Sequence, residues 1–231
     1  MSILSSASRL GESSVAKDTL TYQNSVSVNF PLWKRLFDLV GALLLLAFVA
    51  PILMITAIAI AMDGGNIIFY HSRIGVEGRH FRVFKFRSMH IDAEDRLAEL
   101  LKNDCQARDE WERNHKLRRD PRITAVGRFL RKSSIDEFPQ LINVLRGEMS
   151  IVGPRPIVQA EVVRYGHYIR QYETVRPGIT GLWQVTGRSD VSYRRRVAMD
   201  TLYSRKMKNP WVDFKILLMT IPAVLLSRGS Y

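Results

Sequence analysis

The longest hydrophobic pattern in the chain is an uncharged run over residues 39–62, rich in Leu, Ile, Ala and Val. At about 1.5 Å rise per residue, a helix of this length can cross a hydrocarbon core about 30 Å thick. Soluble buried helices are rarely apolar on every face over such a length. A cleaved signal sequence fits poorly, because the basic flank starts only at Lys34, after about thirty residues. We therefore expect a membrane helix.

The centre and the flanks of this run bear on its topology. Pro51 lies near the middle, where it removes a backbone hydrogen bond, so we expect a kink there. Basic residues favour the cytoplasmic side of a membrane, and a helix that spans can place only one of its two flanks there. A re-entrant helix hinged at Pro51 satisfies both, and we favour it. The flanking basic residues are Lys34, Arg35, Arg73, Arg79, Arg82, Lys85 and Arg87.

The remaining patterns predict an α+β domain that is mostly helical. Residues 67–70 and 81–86 are β-prone runs separated by a glycine-containing turn, which predicts a small β-hairpin. Residues 91–118 have the periodicity of one polar amphipathic helix. The apolar stretch within residues 206–231, interrupted by Pro222, is too short to span a membrane. Its aromatic and lysine residues indicate an interfacial helix, and packing on the domain core is nearly as well supported.

These elements give three parts. Residues 1–30 are rich in Ser, Thr, Asn and Gly without periodicity, and we expect a mobile tail. Residues 31–63 form the re-entrant membrane helix, and residues 64–231 form the domain that follows it, including the C-terminal interfacial segment. The whole is expected to be a monotopic membrane protein.

Charge sharpens this picture. The chain has 34 Lys and Arg against 22 Asp and Glu, a net charge of +12. Residues 1–63 carry four basic and four acidic side chains, so the excess belongs to residues 64–231. Such a balance favours partners with phosphate groups, namely nucleic acid, anionic lipid or a phosphorylated small molecule. The lone Cys105 excludes an intramolecular disulfide and a metal site built of cysteines.

The most informative polar pair is Asp136 and Glu137. Pro139 is tolerated only in the first turn of a helix, so we expect a helix that starts close to Asp136 and runs through Leu145. Both carboxylates would then lie at a helix N-terminus, which favours their ionised, nucleophilic form. The alternative is that Asp136 is merely an N-cap and Glu137 a favourable first-turn acid.

Basic and glycine-rich segments surround this pair. Arg131 precedes it, and Arg155 follows between two prolines that restrict its backbone, an arrangement suited to holding a phosphate. Residues 176–188 contain several glycines, which permit close approach of a ligand, and Trp183, which could stack on a base or simply pack.

Four segments together resemble the bacterial sugar transferase family, the monotopic phosphoglycosyl transferases. They are residues 85–89 (Lys-Phe-Arg-Ser-Met), 130–141, 146–156 and 176–181, in the family's order and behind an apolar segment. The likeness covers residues 34–231. Many members have Ser before the proline of the apolar segment, where this chain has Ala50.

The resemblance implies a re-entrant helix in the bacterial inner membrane with the catalytic domain on the cytoplasmic face. It implies transfer of a sugar 1-phosphate from a UDP-sugar to undecaprenyl phosphate with release of UMP, the first membrane step of exopolysaccharide biosynthesis. Asp136 would be the nucleophile of a covalent phosphosugar intermediate, and Glu137, with Asp136, would hold Mg²⁺. The positions expected to bind substrate or hold the site together are Lys85, Arg87, Arg131, Arg155, Arg176, Asp200 and Tyr203.

Two questions stay open at this point. Residues 187–193 and 221–231 resemble members that transfer galactose 1-phosphate, with glucose 1-phosphate next. A membrane-tethered basic module that binds nucleic acid or anionic lipid is the alternative function, although no helix-turn-helix, RNP or zinc-ligand pattern supports a nucleic-acid partner. Downstream glycosyltransferases are conceivable partners.

Overall fold

A computed structural model describes residues 30–114, 117–187, 191–206 and 209–225. The expected N-terminal tail, the centre of the 187–193 segment and the last six residues lie outside this part of the chain. The described residues form α1 Leu32–Met62, β1 Ile68–Ile74, β2 His80–Phe86, α2 Ala93–Asn103, α3 Cys105–Asn114, α4 Ala125–Ser133, α5 Gln140–Arg146, β3 Ser150–Val152, α6 Val162–Tyr165, α7 Ile169–Glu173, β4 Gly178–Thr180, α8 Leu182–Thr186, α9 Tyr193–Lys206 and α10 Pro210–Leu225. The prediction of a mostly helical chain with a small hairpin is confirmed.

Helix α1 is 31 residues long and continues as one helix through Pro51. Among the described helices it alone is long and apolar enough to cross a membrane. Its N-terminal half packs through Ala42 against Leu141 and Met149, and its C-terminal end packs through Ile60 against Phe86. Both ends therefore contact the same domain. The rest of its surface is an exposed apolar face that includes Leu36, Val40, Leu43, Leu44, Phe48, Ile52, Ile55 and Ile58.

A buried polar network holds the start of α1. The Lys34 ammonium donates to Asp213 Oδ2 of α10 at 2.5 Å and to the Val152 carbonyl at 3.1 Å. Asp38, one turn further, accepts from the Ser150 hydroxyl at 2.9 Å and from the Ile151 N–H at 3.0 Å. These bonds join three elements that are far apart in sequence, because a buried charge must be paired or hydrogen-bonded.

The strands of the hairpin extend beyond the β-prone runs predicted over residues 67–70 and 81–86. Strands β1 and β2 pair antiparallel, with Phe69 opposite Lys85, His71 opposite Val83 and Arg73 opposite Phe81. Alternation along β2 buries Val83 against helix α5 and leaves Arg82 on the exposed side. This register fixes which side chains share a face.

The single helix expected over residues 91–118 was wrong. Helix α2 ends at Asn103 and α3 starts at Cys105, because Asp104 adopts an extended backbone conformation between them. Its carboxylate accepts the Ala107 N–H at 2.9 Å, so Asp104 acts as an N-cap for α3. The capping preference of aspartate thus outweighs the continuous amphipathic pattern.

At the C-terminal end, α10 continues through Pro222. One face contributes Ile216 to a core that also contains Val152, Val175 and Tyr203. The opposite face leaves Trp211, Phe214, Leu218, Met219 and Ile221 exposed. Packing on the domain core is confirmed for one face, and a membrane-interface role for the exposed face stays a prediction.

Candidate active site

Asp136 and Glu137 lie in one 3-10 turn, Ile135–Glu137, between helices α4 and α5. Ser134, directly before the turn, has a left-handed backbone with φ of 58°, which reverses the chain at the end of α4. The turn directs Asp136 inward, where the residue is 9% exposed, and leaves the Glu137 side chain 36% exposed. Two adjacent carboxylates thus have different environments.

The expected helix start near Asp136 was wrong. Helix α5 begins at Gln140 and ends at Arg146, with Pro139 in the position directly before it. The reversal at Ser134 and the 3-10 turn redirect the chain, so that the helix forms only after the proline. Since Pro139 occupies the cap position of α5, Asp136 is not the N-cap of this helix.

Strand β2 brings Lys85 to this turn. Its ammonium donates to Glu137 Oε1 at 2.6 Å and lies 3.9 Å from Asp136 Oδ2. The Lys85 side chain remains 32% exposed. One cation therefore faces both carboxylates, with Lys85 and Glu137 partly open to solvent and Asp136 directed inward.

Burial raises the pKa of Asp136 from its ordinary value to about 6. The positive charge of Lys85 opposes this rise, the negative charge of Glu137 adds to it, and Arg131 opposes it. The sequence predicts a helix N-terminus that favours the ionised form, but Asp136 lies outside α5 and its removal from water acts in the opposite direction. Near neutral pH Asp136 is still mainly a carboxylate, and it is poorly solvated.

Arg131 of α4 supports the turn from the other side. Its Nε donates to the Ser88 hydroxyl at 2.9 Å, and its charge interacts with Asp136. Helix α4 packs closely against the backbone of Ser88: a Cβ on Gly127 would lie only 1.9 Å from the Ser88 carbonyl oxygen. A glycine is required there, and the approach places Arg131 beside the carboxylate pair.

A second polar cluster surrounds Asp200, whose carboxylate is almost fully buried on α9. Tyr165 donates to Asp200 Oδ2 at 2.7 Å. Burial raises the pKa of Asp200 to about 7, while Tyr165, the Trp183 indole and the charges of Arg155 and Arg196 oppose the rise. Arg155 and Arg196 lie 5.9 Å and 4.6 Å from the centre of the Trp183 ring. Of the predicted site residues, Arg155 and Asp200 share this cluster.

The sequence interpretation missed Arg196 and Tyr165. Arg196 precedes Asp200 by four residues on one helix, and this spacing places both side chains on one face. The spacing could therefore have been used to predict Arg196 from Asp200. Tyr165 is 35 residues from Asp200, and no local pattern links them.

Three predicted substrate-binding residues make contacts at or near helix α1 instead, Arg176 through Gly147 and the Phe30 ring just before the helix. Arg87 donates to the Ile60 carbonyl at 3.1 Å, where it satisfies the C-terminal end of α1. Tyr203 Oη lies 2.9 Å from Asp213 in the buried network, and Arg176 donates to the Gly147 carbonyl at 2.8 Å. The Arg87 contact and, through Asp213 and Lys34, the Tyr203 contact attach α1 to the rest of the chain, and a substrate role for the three residues stays a prediction.

The carboxylate pair also fits the requirements of a magnesium site. Mg²⁺ usually binds one or two protein carboxylates together with substrate phosphates and water. Glu137 offers an accessible carboxylate, and the Lys85 ammonium shows that a cation is stabilised at this point. Among the described residues there is no group of three or more His, Cys, Asp or Glu side chains that could hold a metal ion without a substrate.

The fold and this site define a class of protein: a domain anchored by one long apolar helix, with a carboxylate pair under basic side chains at its surface. The bacterial sugar transferase family is matched over residues 30–227. The chain belongs to this family, as its motifs predicted.

Several curated relatives are similar to this chain, and two of the three compared below are named as transferases. The chain is 49% identical over 198 residues to the UDP-galactose-lipid carrier transferase of Erwinia amylovora, a match that covers 86% of this chain and 41% of the relative. It is 48% identical over 199 residues to the exopolysaccharide production protein ExoY of Sinorhizobium fredii, covering 86% and 88%. It is 41% identical over 213 residues to the undecaprenyl-phosphate glucose phosphotransferase of Komagataeibacter xylinus, covering 86% and 37%. The chain thus spans about two fifths of some relatives and most of another.

Proposed function

We propose that this protein transfers a sugar 1-phosphate from a UDP-sugar to undecaprenyl phosphate and releases UMP, as the first membrane step of exopolysaccharide synthesis. The observation that carries the proposal is the inward carboxylate of Asp136, poorly solvated and paired with Lys85 beside the exposed Glu137. A desolvated carboxylate is a stronger nucleophile than a hydrated one, and the neighbouring cations suit a phosphorylated substrate.

The reaction proceeds in two displacements at one phosphorus atom. An Asp136 oxygen attacks the β-phosphorus of the UDP-sugar, and the bond from this phosphorus to the bridging oxygen breaks, so UMP leaves with that electron pair. A phosphate oxygen of undecaprenyl phosphate then attacks the same phosphorus and frees the Asp136 carboxylate. No net proton transfer is needed. The soluble donor and the lipid acceptor use the site in turn, which gives ping-pong kinetics.

The other side chains act on charge and position. Lys85 holds both carboxylates in the free enzyme and can turn to a phosphate oxygen when the donor binds. Arg131 stabilises ionised Asp136 from the opposite side. Glu137, with Asp136, would hold Mg²⁺, which would neutralise phosphate charge and polarise the diphosphate.

Galactose 1-phosphate is the sugar phosphate that we propose first, and glucose 1-phosphate second. The names of the relatives include both a UDP-galactose-lipid carrier transferase and an undecaprenyl-phosphate glucose phosphotransferase. Parallel assays with radiolabelled UDP-galactose and UDP-glucose decide between the two epimers.

We also propose that α1 is re-entrant in the bacterial inner membrane and that the domain lies on the cytoplasmic face. Both ends of α1 pack against one domain, as Ala42 and Ile60 do, and this is difficult to reconcile with a helix whose far end lies across a membrane. Pro51 is the proposed hinge. A cysteine in place of Leu20, in a Cys105→Ser background, should resist labelling from the periplasm. Labelling there would contradict the proposal.

The function is tested with Asp136→Asn. The variant should fold and bind to membranes, yet release no UMP from UDP-sugar and undecaprenyl phosphate, because an amide cannot replace the nucleophile. Turnover of the variant near the wild-type rate would refute the role of Asp136. Absence of UMP release from the wild-type protein with either sugar would refute the function and favour a non-catalytic anchored module.

A further inference from the structure

Asn143 of helix α5 is fully buried, and its side-chain amide contacts the backbone of strand β2. Its Oδ1 accepts the Phe84 N–H at 3.1 Å, and its Nδ2 donates to the Arg82 carbonyl at 2.7 Å and to Glu148 Oε2 at 2.6 Å. Because an N–H can only donate and a carbonyl can only accept, these partners fix the orientation of the amide. The side chain therefore satisfies two backbone groups of β2 as a neighbouring strand would.

This amide joins the two segments that supply the candidate active site. Lys85 directly follows Phe84 on β2, and α5 starts three residues after Glu137. The Lys85 ammonium lies 2.6 Å from Glu137 Oε1 and 3.9 Å from Asp136 Oδ2. The hydrogen bonds of Asn143 therefore fix β2 at the residue next to the lysine, on the helix that follows the carboxylate pair.

Apolar packing holds the same two elements together but defines their relative position less narrowly. Val83 of β2 packs against Leu141 and Val144 of α5. Such contacts are non-directional, so a strand can shift along a helix with little change in buried apolar area. A hydrogen bond tolerates only a narrow range of distance and angle. Two such bonds to one strand therefore oppose a shift that the apolar contacts alone would permit.

We propose that Asn143 is a positioning residue, whose amide holds β2 against α5 so that the Lys85 ammonium stays close to the carboxylate pair. The inference rests on the proposed function, in which this ammonium acts on a phosphate. A misplacement of about 1 Å at such a group can cost about 10² in rate. An amide suits the task because it offers one acceptor and two donors on one planar group, whereas a carboxylate or a leucine side chain of similar size does not.

The experiment combines Asn143→Ala with Lys85→Met in a double-mutant cycle. The kcat of UMP release is measured for the full-length protein in detergent at saturating UDP-sugar and undecaprenyl phosphate, per mole of folded protein. Asn143→Ala alone should lower kcat by about tenfold, because the ammonium is no longer held at one distance from the carboxylates. In the Lys85→Met background the same change should lower kcat by less than about twofold, because the group to be positioned is absent.

Val144→Ala is the matched control, since this neighbour is equally buried on α5 and packs against the same strand without a side-chain hydrogen bond. Both alanine variants should unfold at a lower temperature, and Val144→Ala should keep kcat within about twofold of the wild-type value. If Asn143 only supported the fold, its loss would lower kcat equally with and without Lys85, and that result overturns the proposal. A wild-type kcat for Asn143→Ala overturns it as well.

Should Asn143→Ala not fold, Asn143→Ser retains a hydroxyl that can bond to one of the two strand groups. A smaller loss of kcat is then expected, and it should again disappear in the Lys85→Met background. A loss of equal size in both backgrounds would overturn the proposal. Failure of the proposed function is distinguishable, because wild-type protein would then release no UMP with either sugar.

Discussion

The molecule contains the same set of charges twice, a lysine between two carboxylates. In the network that anchors α1, Lys34 lies 2.5 Å from Asp213 and 3.6 Å from Asp38. At the candidate active site, Lys85 lies 2.6 Å from Glu137 and 3.9 Å from Asp136. The distances are similar, and the surroundings differ.

Lys34 is 3% exposed and its side-chain partners are fully buried, with additional bonds from Ser150 and Tyr203. Lys85 is 32% exposed, and Glu137 is 36% exposed. A buried and densely hydrogen-bonded triad fixes one geometry. An open triad can exchange a protein partner for a substrate phosphate, so burial distinguishes the structural set from the set that we propose to be reactive.

The comparison is tested most severely by Asp213→Leu, which leaves the Lys34 ammonium buried without its nearest carboxylate. Loss of one partner of a buried pair costs about 3–5 kcal/mol, so the protein should unfold at a much lower temperature in detergent. The triple variant Lys34→Met, Asp38→Leu and Asp213→Leu should recover part of this loss, because no unpaired buried charge of the triad remains. An unfolding temperature for Asp213→Leu equal to that of the wild type would contradict the structural role of this triad.

Lys85→Met is the corresponding change in the open triad, and its main effect should be on activity. Loss of this cation should lower kcat by about 10²–10³ fold, as for other groups that stabilise a developing charge, with little change in unfolding temperature. Because Lys85 lowers the pKa of Asp136, its removal should move the acid limb of the kcat/KM profile from about pH 6 to higher pH.

Lys102→Met, on the exposed surface of α2, is the matched control for this prediction. It should leave the rate and the pH profile unchanged. An acid limb that stays in place in Lys85→Met would show that this lysine does not act on Asp136.

The smallest effect concerns the cost of keeping Asp136 ionised. Its pKa is about 6 in the folded protein and 3.8 in the reference state, so the folded state binds the proton more tightly. Stability is therefore lost as pH rises from about 4 through 6, and Asp136→Asn should raise the free energy of unfolding at pH 7.5 by about 1–3 kcal/mol. Thermal unfolding at pH 7.5 and pH 4 checks this, since the gain should disappear at the lower pH. If Asp136→Asn were less stable than wild type at pH 7.5, ionised Asp136 would not destabilise the fold, and this account of its pKa would be contradicted.

Much of the active site could be predicted from local sequence. Lys85, Asp136 and Glu137, each named as a site residue from its motif, lie together, and residues 81–86 form a strand of the predicted hairpin. The helix break at Asp104 could also have been predicted, because aspartate is a common N-cap whose carboxylate accepts the backbone N–H three residues later. The continuous amphipathic period hid this signal.

The anchoring contacts could not be predicted in this way. Lys34 and Asp213 are 179 residues apart, and Arg87 finds its partner at the end of α1, 27 residues away. Neither spacing belongs to a helical or strand period. Motif membership identified Arg87, Arg176 and Tyr203, whereas tertiary packing determined that they contact the parts of the chain around α1.

The central claim is that Asp136 becomes covalently attached to the sugar phosphate. The most direct measurement is intact-protein mass spectrometry after incubation with UDP-sugar and Mg²⁺ in the absence of undecaprenyl phosphate, with fragmentation to locate the adduct. We predict an added hexose phosphate on Asp136, lost when undecaprenyl phosphate is supplied and absent from Asp136→Asn. Release of UMP only when the lipid acceptor is present, with no adduct on the protein at any time, would contradict the account.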